Sequence, residues 1–374
     1  MRACGRSEQR CSFGYSNLLY TLYLNYEMLL NSTSEAIKNV SWKSSTQTYY
    51  LRRLIWVANT QKMIDDGKYK TKGYHNFTIH ERGKARHIRS CHISDRVVQK
   101  AFNNNVLKPK IYPKLIFHNS ASQKGKGTSF ALKRLKRHLC KFYKRYGNKG
   151  YVLLLDFSNY FGSIDKPTLV EKLAKILEPE ELEFMSIFLA NESEGLGLGS
   201  EINQTCAIFY ANDLDHFVKE KLKIRYYGRY MDDSYLIHRD KKYLEYCLDE
   251  IAKVCEREKI TLNKRKCKIV NLKSDYVNIL KKRIKLSKCG KITMRPIRKN
   301  FTLRRRKLSR QLNLLEQGVI TPNEIEQSYK SWRGFATKYD SPHHIIEEMD
   351  KLYAERSKYG HGNSKGTEAD ARAD

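Results

Sequence analysis

Apolar and polar positions alternate along the chain with two periods, which predict two kinds of element. Between residues 13 and 65 apolar and aromatic side chains recur at helical spacing, which predicts two or three helices. Residues 66–90 show short strand-like runs, with Arg82 and Gly83 supplying a turn. Helical spacing returns at Asp95, and Pro109 is expected to end that helix.

The middle of the chain predicts a buried strand followed by helices and a hairpin. "YVLLLD" at 151–156 is a continuous apolar run that ends in an acid, as buried strands do. Helical patterns over 166–191 and 203–222 flank the glycine-rich turn "EGLGLGSE". In "RYYGRYMDDSYLIHRD", residues 225–240, two strand-like runs flank the acids of "DD".

The last third predicts a further helix over 242–258, a strand pair around "KRIKLSKCGKITMR", and a basic helix over 301–317. "TPNE" at 321–324 has the N-cap, proline and glutamate of a capping box that opens another helix. The tail from Lys358 has the composition of a disordered segment. The three tryptophans, Trp42, Trp56 and Trp332, are expected to anchor cores.

Charge indicates what the protein binds. The sequence has 71 Lys and Arg against 40 Asp and Glu, a net charge of +31, which favours a polyanionic partner. Membrane surfaces are polyanionic as well, but no apolar run approaches the roughly 18 to 20 residues that span a bilayer, so no membrane association is expected. The helix predicted to start at Thr128 is basic on nearly every exposed position, as expected of a phosphate-tracking surface.

The nine cysteines are scattered singly, without a CxxC pair or a Cys/His cluster at zinc spacing. This pattern, in a chain without an export signal, predicts reduced thiols and a cytoplasmic protein.

Three acids carry the candidate chemistry. Asp156 ends a predicted strand, while Asp232 and Asp233 lie at the tip of a predicted hairpin. If both strands belong to one sheet, the three carboxylates converge and repel one another unless divalent cations neutralise them. Magnesium prefers such oxygen ligands, and two ions roughly 3.5 to 4 Å apart support in-line phosphoryl displacement.

"YMDD" in a hairpin, preceded by "LLLDFSNYFGSID" and a glycine-rich turn before a helix, resembles the palm of a reverse transcriptase. The resemblance runs from about residue 66 to residue 355. Among prokaryotic enzymes the chain most resembles those of diversity-generating retroelements and related defence-associated reverse transcriptases, through "SASQKGKGTSFALKRL" and "GLGLGSEINQTCAIFYANDLDHFVKE".

The resemblance implies an α+β fold of right-hand polymerase architecture, in which fingers and palm have antiparallel sheet flanked by helices and the thumb is helical. Its expected segments are a helical N-terminal extension (1–65), fingers (66–150), palm (151–300, with 166–195 returning to the fingers), a helical thumb (301–355) and a flexible tail (356–374).

The resemblance also assigns catalytic roles. Asp156, Asp232 and Asp233 would be metal ligands together with the backbone carbonyl of Phe157, for two Mg²⁺ ions that Mn²⁺ can replace. Lys266, in "LNKRKCKI", occupies the place of a lysine that protonates the pyrophosphate, with Lys264 and Lys268 as neighbouring alternatives.

Nucleotide-binding residues follow from the same resemblance. In "GKARHIR", Arg86 is the first choice for holding the triphosphate, and Lys84 and Arg89 are the second choices. Phe161 matches the aromatic gate that excludes a 2′-hydroxyl. The remaining expected contacts are Leu198, Gly199 and Gln204.

Basic residues would hold the nucleic acid through its phosphates, so binding should weaken with salt. For any single arginine of the thumb, a solvated position is the simpler interpretation. The candidates are Lys124, Lys126, Arg134, Arg137, Lys281, Arg304, Arg305, Arg306 and Arg310.

Two departures from the family pattern matter. Gly197, Leu198 and Gly199 stand where many reverse transcriptases have Pro-Gln-Gly, and relaxed fidelity accompanies the loss of that glutamine in the diversity-generating group. Ile279, Leu280 and Lys281 stand where Phe-Leu-Gly is usual in the primer grip, so either charge holds the primer or the register is shifted.

The expected activity is RNA-directed DNA synthesis from an RNA template, a DNA or RNA primer and deoxynucleoside triphosphates. A structured non-coding RNA and an accessory protein are further candidate partners. One alternative is an antiphage defence (antiviral) enzyme with atypical templating or priming. Another, of a different class, is a basic RNA-binding scaffold without catalysis.

Overall fold

The computed structural model describes residues 24–81, 84–190 and 195–357, and in these ranges the chain mixes α-helices with antiparallel sheets. It divides into two compact units. The first comprises Met1–Ala131, Leu155–Tyr235 and Glu245–Cys267, and the second comprises Leu132–Leu154, Leu236–Leu244 and Lys268–Asp374.

The first unit begins with three helices and a hairpin. The helices are α1 (Tyr26–Ala36), α2 (Ser44–Leu51) and α3 (Arg53–Asp65), which confirms the helical prediction for the described part of this region. Strands β1 (Tyr74–Glu81) and β2 (Lys84–Cys91) pair antiparallel, as predicted. The predicted turn residues, Arg82 and Gly83, lie outside the described residues.

The helix after this hairpin does not end at Pro109, so that prediction is wrong. Helix α4 (Ile93–Phe102) continues through a π-helical turn, Asn103–Leu107, into the short helix α5 (Lys108–Ile111). Pro109 lies in the first turn of α5, directly after the π-helical turn, where the fixed φ of a proline is compatible with a helix.

The rest of the first unit contains the glycine turn, the helices around it and the start of the acid-bearing hairpin. The predicted helix over 166–191 is two helices, because Pro179 starts a second one behind the capping box of Glu178 and Glu181. The elements are α7 (Lys166–Ala174), α8 (Pro179–Leu189), α9 (Glu201–Tyr210), α10 (Asn212–His216) with a π-helical turn (Phe217–Lys221), β4 (Tyr226–Tyr230) and β5 (Asp233–His238).

The second unit holds strands and a helical bundle. Strand β3 (Tyr151–Leu155) pairs antiparallel with β6 (Lys268–Asn271), from Tyr151 opposite Asn271 to Leu154 opposite Lys268. The three-stranded sheet of this unit has the order β7 (Val277–Ile279), β8 (Lys282–Leu286) and β9 (Ile292–Pro296).

The strand order of the four-stranded sheet is β4-β5-β3-β6. Two long helices, α6 (Thr128–Tyr146) and α11 (Lys241–Arg257), contribute residues to both units.

Three C-terminal helices, α12 (Arg298–Glu316), α13 (Pro322–Thr337) and α14 (His343–Ser357), pack around a small core. The predicted capping box is confirmed, since Thr321 and Glu324 cap α13 reciprocally. The core consists of Leu308, Leu312, Leu315, Ile325, Tyr329 and Met349.

Two of the three tryptophans are not core anchors. Trp332 packs against the C-terminal core as predicted. Trp42, however, is 74% exposed and Trp56 is 38% exposed, so the prediction is wrong for both. Within the described ranges, the chain has no helix that combines the length and apolar character needed to cross a bilayer.

Candidate active site

The acid-bearing hairpin turns through two residues. β4 ends at Tyr230 and β5 begins at Asp233, so Met231 and Asp232 form the turn. Met231 has φ 55°, a left-handed conformation that costs a side-chain-bearing residue about 1 kcal/mol or more. A glycine would turn here with less strain, so contacts elsewhere hold this tip in place.

A buried ion pair supplies such contacts. The guanidinium of Arg229 is buried and donates hydrogen bonds to both carboxylate oxygens of Asp215, at 2.8 and 2.7 Å. It also donates to the carbonyl of Met231 at 3.1 Å and to that of Ile208 at 2.8 Å. The hydroxyl of Tyr227 donates to Asp215 at 2.6 Å. The hairpin tip is therefore tied to α9 and α10.

Asp156 follows β3 and is only 6% exposed. Its Oδ1 accepts hydrogen bonds from Asn263 Nδ2 at 3.0 Å and from Lys266 Nζ at 2.8 Å, and its Oδ2 lies 2.7 Å from the same Nζ. The backbone N–H of Asn263 donates to the Asp156 carbonyl at 2.8 Å. The loop that carries Asn263 and Lys266 thus holds Asp156 through both its backbone and its side chain.

The charges around Asp232 show that the structure brings the predicted catalytic residues together. Burial raises the pKa of the Asp232 carboxyl, and the charge of Asp156 raises it further. The charges of Lys266 and Arg86 oppose that rise. The pKa of Lys266 is raised, first by its hydrogen bond to Asp156 and also by the charges of Asp233 and Asp232.

The donor set fits a divalent cation, although the carboxylates are not gathered around one point. Across residues 24–81, 84–190 and 195–357, no three His, Cys, Asp or Glu side chains form a metal-binding group. The Lys266 ammonium instead contacts both oxygens of Asp156. The acids nevertheless supply the hard oxygen ligands that Mg²⁺ prefers, and a cation would relieve the repulsion that raises the pKa of Asp232.

The glycine turn is anchored beside Phe161 and β2. The Leu196 N–H donates to the Phe161 carbonyl at 2.7 Å, and a Cβ on Gly195 would lie 2.5 Å from that oxygen. Leu198 accepts a hydrogen bond from the Arg89 N–H at 2.9 Å. Gly199 has φ 125°, and a Cβ there would lie 2.5 Å from the Arg89 carbonyl oxygen. These close approaches require glycine at both positions.

The other predicted nucleotide-binding residues lie around these elements. Arg86 is exposed on β2, and Arg89 places its guanidinium 4.6 Å from the centroid of the Tyr74 ring. The side chain of Lys84 lies outside the described part of the chain. Gln204 is exposed on α9 and accepts a hydrogen bond from the Ser122 hydroxyl at 3.2 Å.

The predicted phosphate-binding residues of the first unit differ in their surroundings. Lys124 is exposed. Lys126 donates to the carbonyls of Phe117 and Asn119, at 3.0 and 3.2 Å, and lies over the rings of Phe117 and Phe130. Burial lowers the pKa of Lys126. Its ammonium already binds the loop before α6.

In the second unit, two of the predicted residues are engaged by the C-terminal helices. Arg304 donates to the Ser328 hydroxyl at 3.1 Å, and Arg305 forms a 2.7 Å ion pair with Glu348. Arg134 is half-buried on α6. Arg305 is exposed despite its ion pair, and the other exposed members of the set in this unit are Arg137, Lys281, Arg306 and Arg310.

Lys281 lies in the turn between β7 and β8, where Leu280 and Lys281 both have positive φ, 49° and 61°. The hairpin therefore turns at the last two residues of the predicted primer-grip triplet.

The structure reveals three residues that the sequence analysis did not single out. Asn263 holds Asp156, and the pair of Arg229 and Asp215 holds the hairpin tip. A charged residue inside an apolar strand pattern was the available signal for Arg229. Its partner lies in a different predicted helix, which no spacing rule connects to the strand.

The chain matches the profile of a known family and is similar to solved structures. Residues 70–298, more than half of the chain, match the family described as reverse transcriptase (RNA-dependent DNA polymerase). No curated protein sequence matches the chain.

Among solved structures, Candida albicans telomerase in complex with a TWJ fragment of telomeric RNA matches at 11% identity and a TM-score of 0.48, over 83% of this chain and 64% of that one. Apo telomerase from Candida tropicalis, truncated from its C-terminal domain, matches at 13% identity and a TM-score of 0.47, over 64% of this chain and 59% of that one. The chain spans less than two thirds of the length of either structure.

Proposed function

Because the chain belongs to the reverse transcriptase (RNA-dependent DNA polymerase) family, we propose that the protein is an RNA-directed DNA polymerase that works by two-metal nucleotidyl transfer. Its α+β fold, with antiparallel sheets and flanking helices, is the polymerase fold of that family. The observation that carries the proposal is the electrostatic coupling of Asp156, Asp232 and Asp233 with Lys266. An RNA-binding scaffold does not need three acids and a lysine whose charges act on one another.

In this proposal, Asp156 and Asp232 hold the metal ions, with Asp233 and the carbonyl of Phe157 as supporting ligands. Family members use divalent ions, and Mg²⁺ is the one proposed here, with Mn²⁺ able to replace it. Divalent ions held by these residues would supply activation of the primer 3′-hydroxyl and stabilisation of the departing pyrophosphate. Asn263 keeps the Asp156 carboxylate oriented through its 3.0 Å hydrogen bond.

Other side chains act on the nucleotide. Arg86, whose charge reaches Asp232, binds the triphosphate. Phe161, tied through its carbonyl to the glycine turn, excludes the 2′-hydroxyl of a ribonucleotide. Lys266, whose ammonium contacts Asp156, would donate a proton to the departing pyrophosphate.

The test is incorporation of labelled deoxynucleotide on a primed RNA template with Mg²⁺. Asp156→Asn and Asp232→Asn are expected to lower the rate at least about 10³-fold, since several kcal/mol of transition-state stabilisation are lost. Asp249→Asn, an exposed acid on α11, removes the same charge and should leave the rate unchanged. Equal rates in all three variants would reject the site, and RNA binding without incorporation by the wild type would favour a scaffold.

We further propose low fidelity of the kind associated with diversity-generating retroelements. The support is Leu198, an apolar side chain in the glycine turn where an amide is usual. Error profiles from primer extension test this proposal. Accuracy equal to that of ordinary reverse transcriptases, including opposite template adenines, would remove it. DNA synthesis without added template or primer would instead favour the antiphage defence role.

A further inference from the structure

A cleft of about 440 Å³ lies in the first unit, away from the acids of the candidate active site. It is formed by the start of α2, the base of the β1–β2 hairpin and the first turn of α4. Its volume falls within the roughly 300 to 1,000 Å³ typical of ligand sites. None of the site residues proposed above lines it.

The cleft is strongly basic. Lys43, Lys72 and Arg96 line it together with His75 and His92, and the described lining residues include neither Asp nor Glu. Within the described ranges, no carboxylate forms an ion pair with Lys43, Lys72 or Arg96. Three permanent positive charges around one cavity repel one another, and an anionic ligand would relieve that repulsion.

Asp95, the acid next to Arg96 in the sequence, is buried and already accepts hydrogen bonds. Asp95 is 1% exposed, and its carboxylate accepts hydrogen bonds from the Tyr69 hydroxyl at 3.0 Å and from the Lys72 backbone N–H at 2.7 Å. It therefore positions the backbone of Lys72, while the side-chain ammonium of that lysine remains available to a ligand. The carboxylate compensates only part of the cationic charge.

Aromatic side chains accompany the cations. The Lys43 ammonium lies 5.4 Å from the ring centroid of Trp42, which is 74% exposed. The Lys72 ammonium lies 5.5 Å from the ring of Trp56, which is 38% exposed. Phe77, which lines the cleft, is 42% exposed. Two of the three permanent cations, Lys43 and Lys72, thus lie within cation–π distance of an exposed tryptophan ring.

We propose that this cleft and its two tryptophans form a second RNA site that binds a single-stranded segment. In this site Lys43, Lys72 and Arg96 hold phosphate groups, and Trp42 and Trp56 stack bases. Single-stranded nucleic acid is bound by this combination of a basic groove with aromatic platforms. A free phosphate ion would use the cations but not the exposed rings. A paired duplex keeps its bases stacked inside, so the rings would gain nothing from it.

The test measures binding of a fluorescein-labelled oligouridylate of about 20 nucleotides to the full chain by anisotropy, without nucleotides or divalent ions. The double variant Lys72→Glu/Arg96→Glu is expected to weaken binding at least about tenfold and to reduce the slope of log K against log salt by roughly two. Trp42→Ala should weaken binding at least about fivefold with an unchanged slope, because it removes stacking and no charge.

The matched control is Lys38→Glu/Lys62→Glu. Both lysines are exposed on the same helical region, neither lines the cleft, and the double variant changes the net charge equally. It should alter binding less than about twofold. Because all the altered side chains are exposed, thermal melting is expected to match the wild type.

Three outcomes would overturn the proposal. The first is an equal loss of oligouridylate affinity in the cleft and control variants. The second is an oligouridylate affinity that Trp42→Ala leaves unchanged. The third is a loss of affinity for a double-stranded RNA of the same length that equals the loss for oligouridylate in Trp42→Ala. The site is independent of catalysis, so Asp232→Asn should keep full cleft-dependent binding. A failure of the polymerase assignment and a failure of this site therefore give different results.

Discussion

The Lys266 ammonium lies 2.8 and 2.7 Å from the two carboxylate oxygens of Asp156, a residue 110 positions earlier in the chain. The ammonium contacts both of the oxygens that Asp156 would offer to a divalent cation. Asp156 is buried but Lys266 is more than half exposed, so the ammonium can leave without disturbing the core. The contact therefore compensates the charge of a buried acid.

Replacing this lysine should separate metal binding from catalysis. In Lys266→Ala the acids lose a competing positive charge, so Mn²⁺ should bind a few-fold more tightly in the absence of nucleotide, since a pair whose cation is exposed to solvent contributes on the order of 1 kcal/mol. Incorporation should fall by about 10²-fold, because a proton donor is lost. Electron paramagnetic resonance titration of Mn²⁺ and single-turnover incorporation measure the two effects.

Lys264→Ala is the control for that experiment, since Lys264 is exposed two residues away and, within the described ranges, forms neither a hydrogen bond nor an ion pair with Asp156. Weaker Mn²⁺ binding in Lys266→Ala would contradict the competition between the ammonium and the metal. An effect of Lys264→Ala equal to that of Lys266→Ala would mean that general charge, and not this contact, is responsible.

Local patterns explain what the sequence could predict. The strand in "YVLLLD" and the acid-bearing hairpin were predictable because the apolar runs and the turn residues that define them are consecutive in the sequence. The capping box at Thr321 and Glu324 spans four residues and was found for the same reason. The strand end at Asp156 and the turn at Asp232 could therefore be placed before their distance in space was known.

Long-range side-chain contacts explain what the sequence could not predict. Lys266 was the first choice from the sequence, but Lys264 and Lys268 stayed open because only the folded loop decides which side chain reaches Asp156. The hydrogen bond from Asn263 to Asp156 spans 107 residues and had no local signal. Exposure of Trp42 was missed because an aromatic residue near amphipathic helices is usually buried. Pro109 was misread because its effect depends on whether it falls inside a helix or in a first turn.

The buried pair of Arg229 and Asp215 should dominate the stability of the hairpin. Arg229→Met leaves the Asp215 carboxylate buried without its guanidinium, which is expected to cost about 3 to 5 kcal/mol. The Met231 carbonyl at the tip also loses its donor. Thermal or urea unfolding measures the change. Arg225→Met, an exposed arginine just before β4, should change stability by less than about 0.5 kcal/mol.

A double variant distinguishes the ion pair from simple loss of volume. Arg229→Met/Asp215→Leu removes both charges, so it should be more stable than Arg229→Met alone. A double variant as unstable as the sum of the two single variants would show that the two side chains act independently.

Asp165 should give α7 a pH-dependent cap. Hydrogen bonds from the Thr168 hydroxyl and backbone N–H, at 2.7 and 2.9 Å, lower the pKa of the Asp165 carboxyl. A lowered pKa in the folded state stabilises the protein above the unfolded pKa, about 3.9, and the contribution disappears as pH falls through the folded value. Asp165→Ala should therefore cost about 1 kcal/mol at pH 7 and less below pH 4.

Asp165→Asn is the matched comparison, because an asparagine caps the helix without titrating. The difference in melting temperature between Asp165→Asn and Asp165→Ala should not depend on pH, whereas the difference between wild type and Asp165→Ala should shrink as the pH approaches 3.5. Parallel curves for all three proteins would show that Asp165 does not stabilise the fold through its charge.

Gly199 should couple the glycine turn to the nucleotide site. At φ 125° a side chain is strained, and a Cβ would lie 2.5 Å from the Arg89 carbonyl oxygen, so Gly199→Ala must push the turn away from β2. The hydrogen bond from the Arg89 N–H to Leu198 is then lost or lengthened, and β2 also carries Arg86. Because a displacement of reacting groups near 1 Å lowers the rate about 10²-fold, kcat/KM for deoxynucleotide should fall roughly 10- to 100-fold.

Gly334→Ala is the control, since Gly334 lies inside α13 with open space around its Cβ position. This variant should leave kcat/KM unchanged and raise the free energy of unfolding by up to about 1 kcal/mol. Normal kcat/KM in Gly199→Ala would show that the turn does not position the nucleotide.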